Sequence, residues 1–285
     1  MAGIYAKTQV VANAHRVGEV LLMSGFFYIA LPFAYPFPFS SLPLAIGSIA
    51  ILCYIFSVYY LNSYCDYAID VNNKRLEHLS SIRRLQYLFF TLACWSFCFV
   101  TFWCVNKIAL GCFLFSFSLW ILYYARPFRF KSKLFLGSII HFICGILHFH
   151  MCYTLVGAVS MRSVTVSIFI ALLLTIGHLN HERLDFVSDM KNNIATTTVR
   201  MGEQFTKSAV KFLSGFTIVF WAVLYFSGII SLSEFSCFLL PLLLFVALQW
   251  NKAIFENTTV FKNYYRILFF IGGVLLLISK MLQAI

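Results

Sequence analysis

The stretch Asn62-Ser63-Tyr64-Cys65-Asp66-Tyr67-Ala68-Ile69-Asp70 decides how this chain is read. It follows directly on a long apolar run. A second stretch, Glu182-Arg183-Leu184-Asp185-Phe186-Val187-Ser188-Asp189, follows another in the same way. The 285 residues hold only 10 Asp and Glu, and Asp66, Asp70, Glu182, Asp185 and Asp189 all lie in these two stretches. Asn62, Asp66 and Asp70 stand at i, i+4 and i+8, so a helix continuing through them lines all three on one face. Asp185 and Asp189 repeat the spacing of four, and His178 and Glu182 extend that face backwards. Like charges so spaced repel by roughly a few tenths of a kcal/mol on an exposed helix, and by more at a membrane boundary. A divalent metal supplies the missing positive charge. An all-oxygen donor set suits Mg2+, which takes a few carboxylates together with waters and substrate phosphate. Acids that merely solvate loop ends are the simpler account of Asp66 or Asp189 alone. Two such stretches at one end of the molecule favour a site.

Composition sets the solvent. The chain is 61% hydrophobic and 11% charged, against about 25% charged in soluble domains. The remaining surface must face lipid, and the expected fold is an all-α polytopic membrane bundle, a single domain over residues 1–285. Spans of about 20 apolar residues are expected near 18–37, 43–64, 85–104, 108–124, 134–156, 164–181, 212–230, 235–250 and 267–284, nine in all. Pro32, Pro36 and Pro38 interrupt the first. Val105, Asn106 and Lys107 alone separate the third from the fourth, which predicts a tight hairpin. No cleaved signal is expected, because the N-terminus has no basic region followed closely by an apolar core.

The net charge of +11 is explained by its distribution. With nine spans, all but three of the 21 Lys and Arg fall on one side, the exceptions being Lys107, Arg162 and Lys280. That asymmetry marks the basic side as cytoplasmic. It leaves no basic run for a nucleic-acid arm, so nucleic acid is not an expected partner. Both acidic stretches and the cluster Arg126–Lys133 fall on the cytoplasmic side. The second, fourth and sixth helices thus deliver acid, base and acid to one face.

These segments resemble the UbiA superfamily of intramembrane prenyltransferases. That family has nine transmembrane helices and two Asp-rich motifs on cytoplasmic loops. Its first motif, N-D-x-x-D-x-x-x-D, is met here by N-S-Y-C-D-Y-A-I-D and then by the basic pair Lys74 and Arg75. Its second, D-x-x-x-D followed by a basic residue, Thr and Gly, is met by Asp185, Asp189, Lys191, Thr197 and Gly202. Y-Y-A-R-P-F-R-F-K resembles the family's Tyr-x-x-Pro-x-Arg/Lys segment after helix 4. Ser63 replaces an Asp of the first motif, and Asn193 stands where many members have Gly. Asn tolerates a left-handed backbone better than most residues. His181-Glu182-Arg183-Leu184-Asp185 is unlike the commonest members.

The resemblance implies a mechanism. Mg2+ held by Asn62, Asp66, Asp70, Asp185 and Asp189 binds an isoprenoid diphosphate whose tail lies among the helices. Lys74, Arg75, Arg129, Lys131 and Lys191 neutralise the remaining charge. Loss of diphosphate leaves an allylic cation, which is captured by a lipophilic or aromatic acceptor. Aromatic walls steady that cation by about 0.5–2 kcal/mol each. A close rival is a membrane terpene cyclase, in which the cation closes on its own double bonds. A transporter is the reading from another class, although its acids are expected at mid-bilayer. A CDP-alcohol phosphotransferase would need a D-G-x-x-A-R signature, which is absent. The expected location is a bacterial cytoplasmic membrane.

His141, His148, His150 and His178 fall in or near spans. Haem is one reading; polar residues lining an internal cavity is the simpler one. His178 also stands where it can orient Glu182 or act as a base. Nine cysteines lie mostly in apolar runs without a C-x-x-C pair and read as small buried hydrophobes.

Overall fold

The computed structural model describes residues 16–34, 42–71 and 82–283; the side chains of Asp70 and Val71 are not among those described. Among the described residues, thirteen α-helices follow in order. They are α1 Val17–Tyr28, α2 Ala30–Phe33, α3 Leu42–Cys65, α4 Tyr67–Val71, α5 Arg84–Val105, α6 Lys107–Tyr124 and α7 Leu136–Tyr153. The chain continues through α8 Met161–Lys191, α9 Thr197–Met201, α10 Glu203–Phe226, α11 Leu232–Trp250, α12 Lys252–Glu256 and α13 Thr258–Leu282. A 3-10 turn, Phe130–Ser132, lies between α6 and α7.

Eight of these helices are long and apolar enough to cross a membrane. The first expected span, 18–37, is not among the eight: residues 17–33 form a shorter apolar segment that is interrupted at Ile29, and residues 35–37 lie outside the described residues. The protein is an integral, multi-pass membrane protein, and its side-chain distribution shows why. On α10 the inward face mixes Thr206, Ser214 and Thr217 with Val210, Trp221 and Leu224, while Phe212, Val219 and Phe226 are exposed outward. A soluble helix turns a charged or polar face outward instead. Hydroxyls turn back onto their own helix, as Ser214 Oγ does to the Val210 carbonyl at 2.7 Å. They thereby need no partner from lipid.

Polar caps start the helices where the sequence provides them. Asn106 is the whole of the hairpin between α5 and α6; its Oδ1 accepts from the amides of Ile108 and Ala109. Its Nδ2 donates to the Thr154 carbonyl at 2.8 Å and ties that hairpin to the end of α7. Ser160, Ser231, Asn251 and Asn257 cap α8, α11, α12 and α13 in the same manner.

The long helices form a ring. Neighbours are α1 with α3, α3 with α5, α5 with α6, α6 with α7, α7 with α8, α8 with α10, α10 with α11, and α11 with α13. Contacts of α13 with α8 and α1 close the ring. Gly145 sets the α7–α8 approach, since a Cβ there would stand 2.7 Å from the Ala171 Cα. At the end opposite the Asp stretches, Glu234 is fully buried and pairs with Arg162 and with Lys280, the latter at 2.9 Å.

Two boundaries differ from expectation and both affect the site. The first Asp stretch is not one continuous helix: α3 ends at Cys65, and α4 resumes at Tyr67 after a break at Asp66. Asp is a weak helix former, and its carboxylate is held by cations from another segment. The sixth span is far longer than 164–181. At 31 residues, α8 extends about 46 Å at 1.5 Å per residue, well beyond a hydrocarbon core of about 30 Å. The second Asp stretch is therefore helical throughout, ending at Asn192 and at Asn193 with φ 53°.

Candidate active site

A cavity of about 430 Å³ opens among α1, α3, α6, α7, α8 and α13. Asn62, Asp66, Asp185 and Asp189 line it, although Asp66 and Asp185 lie 119 residues apart in the chain. Asp66 is buried, while Asn62, Asp185 and Asp189 are half-buried. Asp66 Oδ1 accepts from Arg129 Nη2 at 3.0 Å, and Oδ2 is paired with Lys131 Nζ. Arg129 has φ 40°, a left-handed kink at the start of the 3-10 turn that carries both cations. Asp185 Oδ2 stands 3.5 Å from His181 Nε2.

Deeper in, the wall changes character. Tyr54 lies eight residues before Asn62 on α3, about 12 Å along the helix. Its hydroxyl accepts from Trp120 Nε1 at 3.0 Å, stands 2.9 Å from His148 Nε2 and also bonds Ser116 Oγ. The His148 ring stacks on Phe27 at 4.4 Å. Between this floor and the acids, His141 of α7 stacks on His178 of α8, with centroids 3.7 Å apart and planes at 13°. Gly137 permits the approach, because a Cβ there would stand 3.3 Å from His178 Nε2. His178 Nε2 lies 3.2 Å from Glu182 Oε1. Glu182 Oε2 accepts from the Thr198 amide at 2.9 Å and the Thr198 hydroxyl at 3.0 Å. One cavity thus joins an acidic, cation-bordered mouth to an aromatic interior.

The model of the UbiA prenyltransferase family matches residues 22–273. The chain belongs to this family. Solved structures carry the same fold. A UbiA homolog from Archaeoglobus fulgidus bound to DMAPP and Mg2+ is 16% identical, with a TM-score of 0.72 over 93% of this chain and 98% of that one. The same homolog bound to GPP and Mg2+ gives 16% identity and a TM-score of 0.72 over 94% and 99%. An apo UbiA homolog from Aeropyrum pernix K1 is 12% identical, with a TM-score of 0.68 over 94% and 98%. No curated protein matches the sequence.

Within this UbiA-family cavity, the expected residues are placed unevenly. Asn62, Asp66, Lys131, Asp185 and Asp189 line it, and Arg129 borders it through Asp66. Asp70 lies on α4, Tyr67–Val71. Lys74 and Arg75 lie outside the described residues. Lys191 is exposed at the end of α8 and is not part of the wall, because the helix carries it past the mouth. Sequence reasoning missed Arg16, Glu19, Lys262 and Arg266, which α1 and α13 bring to the same mouth. Their signal was the i, i+3 pairing of Arg16 with Glu19, at 3.6 Å, and the i, i+4 spacing of Lys262 and Arg266.

Proposed function

We propose that this UbiA-family protein is a Mg2+-dependent prenyltransferase that ionises an isoprenoid diphosphate and passes the prenyl group to a lipophilic or aromatic acceptor. The observation that carries this reading is the single cavity with Asn62, Asp66, Asp185 and Asp189 at its mouth and Tyr54, Trp120 and Phe27 within. A substrate that is doubly anionic at one end and hydrocarbon at the other matches both.

The donor set fits Mg2+ bound together with a diphosphate rather than alone. Among the described residues, no three His, Cys, Asp or Glu side chains stand close enough to hold one ion. Mg2+ characteristically takes one or two carboxylates and completes its shell with water and phosphate. The proposed ligands are Asn62, Asp66, Asp70, Asp185 and Asp189. When bound, the metal supplies positive charge to the leaving diphosphate. Lys131 and Arg129 hold Asp66 in place and, with Lys74, Arg75 and Lys191, are the proposed neutralising cations. The aromatic wall excludes water from the reacting carbon and offers ring faces to the allylic cation. The distribution of Lys and Arg supports a cytoplasmic mouth, and a bacterial cytoplasmic membrane is the proposed setting.

The same aromatic interior suits cyclisation of the cation on itself, and product analysis separates the two outcomes. Purified protein in nanodiscs receives geranyl, farnesyl and geranylgeranyl diphosphates with Mg2+, with and without a membrane lipid extract. A prenylated lipid formed only with the extract supports transfer. A terpene hydrocarbon or alcohol formed from diphosphate alone moves the reading to a cyclase.

A further inference from the structure

Among the described residues the cavity has a bottom, and the helices that line it fix its depth. On α3, Tyr54 lies about 12 Å below Asn62. On α8 the lining runs from Asp185 down to Leu174, eleven residues and about 16 Å along the axis. On α1 it runs from Arg16 to Phe27, again eleven residues. Part of that depth belongs to the diphosphate head at the acids. What remains is close to the length of an extended farnesyl chain, and a geranylgeranyl chain is one isoprene unit longer. The whole cavity is about 430 Å³. It must also admit an acceptor, so a longer tail has little room to fold back.

The floor is built to resist displacement. The Tyr54 hydroxyl is bonded by Trp120, His148 and Ser116, and Ser116 Oγ stands 3.0 Å from His148 Nε2 as well. These side chains come from α3, α6 and α7. A tail that pushed Tyr54 aside would leave their buried polar atoms unpaired, which is costly. Phe27 of α1 packs on His148 and meets the Tyr54 ring edge-on at 5.9 Å. Behind it, Phe113 meets Tyr54 edge-on at 5.8 Å, and one turn further from the mouth Ala50 and Ile51 are fully buried. A close-packed interior of this kind is sensitive to a single methylene.

Resting on the prenyltransferase reading, we infer that this floor sets the length of the substrate: the protein takes isoprenoid diphosphates up to farnesyl and discriminates against geranylgeranyl. Tyr54 and Phe27 are the specificity-determining residues. They meet the far end of the tail, remote from the carbon that ionises beside the acids. One methylene too many in a rigid apolar pocket changes kcat/KM by about 10–200-fold, and an isoprene unit is larger than a methylene.

The test uses the full-length protein in nanodiscs with Mg2+ and a membrane lipid extract. The kcat/KM for diphosphate release is measured separately with geranyl, farnesyl and geranylgeranyl diphosphates. Wild type is expected to favour farnesyl over geranylgeranyl by about tenfold or more. Tyr54→Ala and Phe27→Ala each deepen the cavity and are expected to bring the two substrates within about threefold of each other. Phe27→Ala leaves the hydrogen bonds of Tyr54 in place, so it decides the matter if Tyr54→Ala does not fold, which melting temperature reports. The ratio between substrates is the readout that a merely structural role does not move, since damage to the fold lowers all three rates together. Wild type that uses geranylgeranyl within about threefold of farnesyl overturns the length limit. A ratio unmoved in the folded variants, or release lost from all three diphosphates in both variants, overturns the assignment to Tyr54 and Phe27. In these cases wild type still releases diphosphate, and the prenyltransferase reading stands. Wild-type protein that releases none from any of the three overturns that reading and this inference with it.

Discussion

Asp66 has two positively charged neighbours, and they determine what its removal does. Asp66→Asn leaves Arg129 and Lys131 facing a neutral amide. Without substrate, the variant is expected to lose about 1–3 kcal/mol of stability, read as a lower melting temperature in nanodiscs. With substrate, the expected loss of diphosphate release is about 10²–10³-fold, the scale of one electrostatic contact made to developing charge. Lys131→Met should raise the KM for farnesyl diphosphate more than it lowers kcat, because Lys131 lines the cavity; steady-state kinetics on that variant decides it. The spacing of the acids was readable from the chain because it follows helical geometry. Their pairing was not, since Lys131 and Asp66 lie 65 residues apart and no local rule joins them. Arg16, Lys262 and Arg266 were hidden for a different reason: a cation bordering a cavity and one at the lipid headgroups contribute equally to positive-inside asymmetry.

At the level of elements, the α7–α8 contact is the least tolerant. In Gly145→Val, the added side chain meets the Ala171 Cα of α8, which cannot yield without moving the helix. Overpacking of this kind costs about 1–3 kcal/mol. A fall in melting temperature together with lower product formation is expected, because the same two helices position His141 and His178. The tight hairpin between α5 and α6 was legible in Val105, Asn106 and Lys107. The end of α8 was not: apolar content falls after residue 181, but backbone hydrogen bonding continues to Lys191. Hydropathy reports where lipid ends, and helix formation reports where capping and Asn193 end the turn. The break at Asp66 was missed because i, i+4 spacing was extended through a residue whose carboxylate is engaged by α6–α7 connector cations.

Across the whole molecule, the two ends of the bundle have separate tasks. The Arg162–Glu234–Lys280 cluster lies away from the Asp-lined mouth and joins α8, α11 and α13. Glu234→Ala strands two cations against a buried site and should cost about 2–3 kcal/mol, with Arg162 partly solvated. Diphosphate release per folded molecule should stay within about threefold of wild type, a change below roughly 0.7 kcal/mol in barrier. A composition rich in apolar residues announced the membrane. The closure of the ring by α13 against α1 and α8 was not visible, since it depends on contacts between chain ends. One cavity shared by both Asp stretches also implies linked binding. Farnesyl diphosphate with Mg2+ should raise the melting temperature by more than the sum of either alone, because each completes the other's site.

The most direct test of the account is diphosphate release by the purified protein from farnesyl diphosphate, with Mg2+ present or chelated by EDTA, in wild type and Asp66→Asn. The account predicts release from wild type that needs Mg2+ and is nearly lost in Asp66→Asn. Release that persists in EDTA or in Asp66→Asn would contradict it. So would an absence of release from folded wild-type protein, with acceptor-bearing lipid supplied and geranyl and geranylgeranyl diphosphates also tried.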